Sequence, residues 1–319
     1  MRSRLILFGL LLAVAGAFAG EGATSAQSPA PAASSTSESA EPDEENTRGA
    51  FMTSRPKTVE KPPKSAGSAA NSPQPRSRRR PKPQTSGTSS GTAKGNSTPS
   101  TAVDSKKNPI VQKMGLGVTL FMRDANGLAV RVDPTHEFHK GDAVRVLLET
   151  NADGHLYIFN TTDDGPPVMI YPDPELDAAG NFLQAHVPLE IPSSTAAEEN
   201  LKWFRFDEHP GIERLYFVFT REPLAGVPIE DDLAKFCAEK KNCNWHPEPA
   251  LWTSLQKEMS TPTPVSKSEK YGRAQTSAEH EAATRSIGLS REDPEPSLVM
   301  MNASTATALL VAAVDLFHR

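Results

Sequence analysis

Residues 138–160 read FHKGDAVRVLLETNADGHLYIFN, two apolar runs joined by a short polar segment. In Ala143–Thr150 the side chains of Val144, Val146 and Leu148 point one way. Arg145 and Glu149 flank the opposite face, with Leu147 between them, which is the two-residue period of a β-strand. Asn151-Ala152-Asp153-Gly154 supplies turn residues whose side chains bond local backbone N–H groups. His155–Asn160 then returns as a second strand, with Leu156 and Ile158 alternating against Tyr157 and Phe159. Apolar side chains on both faces predict a central strand covered from both sides.

The same grammar extends outward. Leu116–Met122 and Leu128–Val132 flank Asn126-Gly127, a hairpin signal because both positions tolerate positive φ. Downstream, short strands are predicted at Val168–Tyr171, His186–Ile191, the Trp203–Phe206 run and Glu213–Thr220, the strongest β run in the chain. Gly154 and Gly211 are expected where a side chain would clash in a turn. Ile229–Lys240 has helical spacing, with Glu230, Asp231 and Asp232 at the end where the helix dipole favours acids. Lys257 to about Ala283 is polar and reads as a mobile loop with a marginal helix near Ala278–Thr284. Arg285–Ser290 and Leu298–Asn302 are weaker strand candidates, and Ala308–His318 suits a closing strand. The fold class expected is mostly β: an antiparallel β-sandwich-like domain with one short helix, over 108–256 and completed by 285–319, with 257–284 as a flexible insertion.

The first hundred residues differ in kind. Arg2 and Arg4 precede an apolar run, Leu5–Val14, and Ala17-Phe18-Ala19 fits a cleavage site, so 1–19 reads as a signal peptide and the protein as secreted or periplasmic. The apolar run is short for a membrane span, so no transmembrane segment is expected after signal cleavage. Residues 20–107 are Ser-, Pro-, Ala-, Thr- and Gly-rich, and Phe51, Met52 and Val59 stand isolated. Such a stretch buries too little apolar surface to offset chain entropy and reads as a disordered linker. From Arg48 to Lys107 there are thirteen Lys and Arg against only Glu60 and Asp104. The densest part, Arg76, Arg78, Arg79, Arg80 and Lys82, is either a solvated linker or a patch that adheres to a polyanionic wall polymer or anionic lipid. No aromatic residues interleave with these charges, so specific nucleic-acid recognition is not expected. Cys237 and Cys243 read as a disulfide in an oxidising compartment. A metal site with His246 is the rival, but the spacing matches no common zinc pattern.

Several elements occur together in a fixed order. They are Phe138-x-x-Gly141-Asp142, Asn151-x-Asp153-Gly154-x-Leu156-Tyr157-Ile158-Phe159-Asn160, Gly165, Tyr171-Pro172, Ile191-Pro192, the Trp203–Phe206 run and Pro210-Gly211-x-Glu213 followed by an apolar strand to Glu222-Pro223. This series resembles the bacterial domain-of-unknown-function family 4384, over roughly the middle third of the chain. The resemblance implies an accessory or interaction module of exported or envelope proteins, and it carries over no catalytic residue. The long arm and the polar insertion before the last strand depart from the family pattern.

Direct tests for chemistry find little. The chain has no Gly-x-Ser-x-Gly, His-Glu-x-x-His or Gly-x-x-x-x-Gly-Lys motif. His136 and His139 form His-x-x-His, but in a strand approach and not on a helix. Asp153, Asp163, Asp164 and Asp173 offer oxygen ligands for calcium without the EF-hand spacing, and are read first as turn formers. No catalytic residue, metal or cofactor is therefore expected. The function expected is binding or scaffolding at the cell envelope, with an envelope protein or wall polymer as partner. A hydrolase acting on wall or polysaccharide substrates, or a surface-layer component assembling through exposed sheet edges, are the alternatives.

Overall fold

In a computed structural model, residues 41–59, 113–176, 180–261, 263–302, 305 and 308–319 are described. They belong to one compact unit. The expected signal peptide, most of the linker and the basic patch at 76–82 lie outside the described residues. Among those described, no helix is long and apolar enough to cross a membrane.

Two sheets form the domain. Across the first run β11 (Val265–Lys267), β12 (Leu298–Met301), β1 (Gly115–Arg123), β4 (Ala143–Thr150) and β8 (Leu189–Ile191), with β2 (Ala129–Arg131) beside β1 and β9 (Phe204–Arg205) beside β4. Across the second run β3 (Glu137–Phe138), β13 (Leu309–His318), β10 (Gly211–Thr220), β5 (Gly154–Thr162) and β6 (Val168–Tyr171), with β7 (Phe182–Leu183) beside β5. All pairings are antiparallel except β3 with β13. The chain is thus mostly β, as its alternation predicts.

The alternation decides which side chains meet. Leu116, Val118 and Leu120 of β1 and Val144, Val146 and Leu148 of β4 point inward. They share one core with Leu156 and Ile158 of β5, Leu215, Phe217 and Phe219 of β10, and Leu310, Ala312 and Leu316 of β13. The opposite face of the second sheet is also apolar, as read from Tyr157 and Phe159. These pack with Tyr216 and Val218 against Leu233 of helix α2 (Glu230–Lys240) and Leu255 and Trp252 of α3 (Pro249–Met259). Cys237 and Cys243 are bonded to each other and fasten the last turn of α2 to the segment leading to Trp245. Trp245 pairs with Met169 of β6. In an oxidising compartment that bond is stable.

Three expectations change. The stretch 41–59, read as part of a disordered linker, carries helix α1 (Glu41–Ser54), and Phe51 is not isolated but buried against Val299 and Met301. The 257–284 insertion includes the end of α3, β11 and α4 (Ser277–Arg285), so it is largely regular structure. A capping box explains α4: Thr276 Oγ1 accepts from the Glu279 N–H, and Glu279 accepts in return from Thr276. Arg285–Ser290 is the end of α4 and a loop, not a strand, and Ser286 adopts a left-handed conformation there. Four α-helices are therefore present among the described residues: the expected one at Glu230–Lys240, the marginal one near Ala278–Thr284, which a capping box fixes, and two that were not expected, α1 and α3, the latter packing Trp252 and Leu255 on the second sheet.

Gly154 shows the tolerance of the pairing. A Cβ there would lie 2.4 Å from the Thr220 carbonyl oxygen, on the backbone of the neighbouring strand. Gly154→Ala is expected to cost about 1–3 kcal/mol in denaturant unfolding. A Gly49→Ala change in α1 meets nothing within 4 Å and is expected to add about 0.5–1 kcal/mol.

Candidate functional site

The outer face of the first sheet is charged and yet buried. On β4, Arg145 and Glu149 are 4 % and 3 % exposed. An isolated carboxylate in such a place is costly unless paired. Arg145 is answered locally: its guanidinium donates to the Lys202 carbonyl, lies 4.0 Å from the Trp203 ring centre and pairs with Glu190. Glu149 is answered from far along the chain, by Arg55 just beyond α1.

Arg55 is the anchor of α1. Its Nε and Nη2 donate to the two Glu149 oxygens at 2.8 and 2.6 Å. Its remaining donors reach the carbonyls of Ser290, Asp293 and Pro294 at 3.1, 3.0 and 3.1 Å. All five guanidinium N–H groups have an acceptor, in the fork geometry that only arginine offers. One helical face of α1 carries two more contacts. Arg48 donates to Ser266 on β11 and to the carbonyls of Pro296 and Ser297. Phe51 sits over β1 at two glycines: a Cβ on Gly115 would lie 2.9 Å from its ring, and one on Gly117 3.2 Å. In return Arg291 donates through Nε to the Arg55 carbonyl and through Nη2 to that of Thr53. A cation there suits the carbonyl end of a helix.

His186 completes the cluster. It holds a positive φ of 59°, fixed by bonds from its N–H to the Thr150 carbonyl and from the Leu289 N–H to its own carbonyl. Its Nδ1 lies 2.8 Å from Glu149 Oε1 and its Nε2 lies 3.1 Å from Ser54 Oγ. Burial works to raise the Glu149 pKa, but hydrogen bonds from His186 and Arg55, and their charge, outweigh it and hold the carboxylate below its usual range. Ser54, His186 and Glu149 thus share the connectivity of a serine, a base and an orienting acid. Two features separate them from an activated nucleophile. Ser54 Oγ donates to the Phe51 carbonyl at 2.5 Å, and both Glu149 oxygens are engaged by Arg55.

The residues singled out from sequence do not converge. Asp153 accepts from the Ala185 N–H, Asp163 from the Ile212 N–H, and Asp164 pairs with Arg214. Asp173 accepts from the Glu175 N–H, and burial raises its pKa to about 6. Asp142 bonds the nearby His139 N–H as a turn former should, whereas Asn151 reaches across strands to Gly115 and Lys113. His136 packs edge-on against Phe138, while His139 lies 4.0 Å from Asp142. His246 contacts the Pro167 carbonyl and not the cysteines. Among the described residues no group of three or more His, Cys, Asp or Glu is placed to hold a metal.

Sequence reasoning missed Arg48, Phe51, Arg55 and His186. The available signal was Glu149, an acid near the end of a largely apolar strand, together with the helical spacing Arg48-x-x-Phe51-x-x-x-Arg55. Glu149 and His186 themselves fall within one family's boundaries, while Arg55 and Ser54, which meet them, do not. Residues 137–223 match the family described as Domain of unknown function (DUF4384). No curated protein and no solved structure matches the chain. The matched segment supplies β4 and His186, whereas α1, the 290–297 segment and the last two strands come from outside it.

Arg55→Ala leaves Glu149 buried without its fork and is expected to cost about 3–5 kcal/mol in the docking of α1. Faster tryptic cleavage after Arg48 would report it, with the sandwich still folded. Acid should act the same way. A carboxyl group whose pKa is depressed in the fold contributes stability above its unfolded pKa, and that contribution is lost as pH falls through the folded value. Protection of the α1 amides in hydrogen exchange is therefore expected to hold at neutral pH and to fail below the ordinary glutamate range near 4.5.

Proposed function

We propose that this chain is an exported, non-catalytic β module that binds or scaffolds other components at the cell envelope. The observation that carries this reading is the buried, ion-paired face of the first sheet, which holds a helical segment chiefly through side chains, with one backbone bond from the Arg291 N–H to the Pro56 carbonyl. Polypeptide recognition needs such a surface, whereas catalysis needs converging ionisable groups in an open cleft. The Cys237–Cys243 bond fits an oxidising compartment. Assembly through sheet edges is less well supported, since β3 and β11 are two and three residues long.

The basic stretch Arg76–Lys82 is proposed to retain the protein on polyanionic envelope material. In a pull-down from envelope extracts the full mature chain is expected to be retained at low salt and released as salt rises. Deletion of 76–82 is expected to release it at moderate salt, and unchanged retention would reject that role.

A hydrolase is the second reading, favoured by the Ser54–His186–Glu149 connectivity. A fluorophosphonate probe separates the two. The binding module leaves Ser54 unlabelled, whereas labelling lost in Ser54→Ala would favour the enzyme.

A further inference from the structure

We infer that the outer face of the first sheet is a receptor site for a helical peptide carrying Arg, Phe and Arg in the spacing of Arg48, Phe51 and Arg55, and that residues 41–59 are its resident ligand. The inference deepens the binding-module reading and rests on it.

Three observations separate ligand from receptor. The sandwich core closes without α1: Phe51 clusters with Val299 and Met301, apart from the side chains shared between the sheets. The helix adds no strand to either sheet, and its attachment is by side chains, joined by one backbone bond from the Arg291 N–H to the Pro56 carbonyl. The sockets are also selective in chemistry. The Arg55 socket matches five guanidinium donors with one carboxylate and three carbonyls. A lysine ammonium has three donors and no fork, so it would leave acceptors unmet. The Phe51 seat depends on the missing Cβ at Gly115, where one would lie 2.9 Å from the ring, and at Gly117 a Cβ would collide first with Pro296 at 2.5 Å.

The resident segment and its site belong to one chain, separated by residues 60–112. Covalent joining raises the effective concentration of a ligand to on the order of millimolar. A second polypeptide therefore meets an occupied site unless it binds more tightly or the resident helix is released. The class of partner is a helical segment with an aromatic residue between two arginines, not an extended strand and not an acidic peptide, since the socket's own charge is the Glu149 carboxylate.

The test uses the full chain with a specific protease site inserted after Gly91, cleaved in the folded protein, and a fluorescent peptide of residues 41–59. The peptide is expected to exchange into the cleaved protein and to enter the intact protein at least tenfold less. Peptides carrying Phe51→Ala, Arg55→Ala or Arg55→Lys are expected to bind at least tenfold more weakly. If the N-terminal fragment leaves only as the sandwich unfolds, or if cleavage itself unfolds it, α1 is an integral element and the inference is wrong. Equal binding of the Arg55→Ala peptide would also overturn it. Envelope capture is scored separately on the uncleaved protein. Peptide exchange without capture sinks the envelope role alone, and capture without exchange sinks this site alone.

Discussion

A carboxylate on a buried strand face must be met by cation and hydrogen bonds, and Glu149 is in that position. It lies on β4, the strand that pairs with β1, β8 and β9, so its surroundings cannot open to water without disturbing the sheet. Arg55 and His186 satisfy it, one from the N-terminal segment and one from the approach to β8. Removing Arg55 strips the buried carboxylate of its counter-charge, which costs more than the pair contributes. This asymmetry explains how a helix with one buried aromatic residue stays on the sheet.

The two outer faces solve the same problem differently. The second sheet is covered by apolar contact, with α2 and α3 lying over Tyr157, Phe159 and Tyr216. The first is covered by arginines. Arg48, Arg55, Arg131 and Arg145 each bring a guanidinium to a carboxylate, and Arg131 meets Glu279 of α4 at 2.5 Å. Apolar covering is tolerant of sequence, whereas guanidinium sockets discriminate among side chains. A face of the second kind is suited to recognition as well as to folding.

The sandwich was legible in the sequence because strand alternation and turn residues are local signals. Val144, Val146 and Leu148 could face only one layer, and the doubly apolar pattern of Tyr157 and Phe159 placed β5 beneath a second covering. The cysteine pair was legible for the same reason. The docking of 41–59 was not, since its apolar content is small and its partners are distant in sequence: Arg55 meets Glu149, Ser290 and Pro294. Composition weighs such a stretch by hydrophobicity, but here charge in a low-dielectric setting does the holding. The helix α4 was visible only as marginal, because its stability comes from a cap and a buried ion pair and not from periodicity. The turn aspartates were recognised as turn formers, but Asp153 and Asp163 bond backbone tens of residues away, which spacing alone does not reveal.

The most direct measurement is amide hydrogen exchange over residues 45–55 in the full chain at neutral pH, with β4 and β10 as internal references. Strong protection of that segment, lost in Glu149→Ala while the two strands stay protected, is the result expected of a helix held to the sandwich by one buried carboxylate. Exchange at the rate of an unstructured chain in the unmodified protein, or protection unaffected by Glu149→Ala, would contradict it.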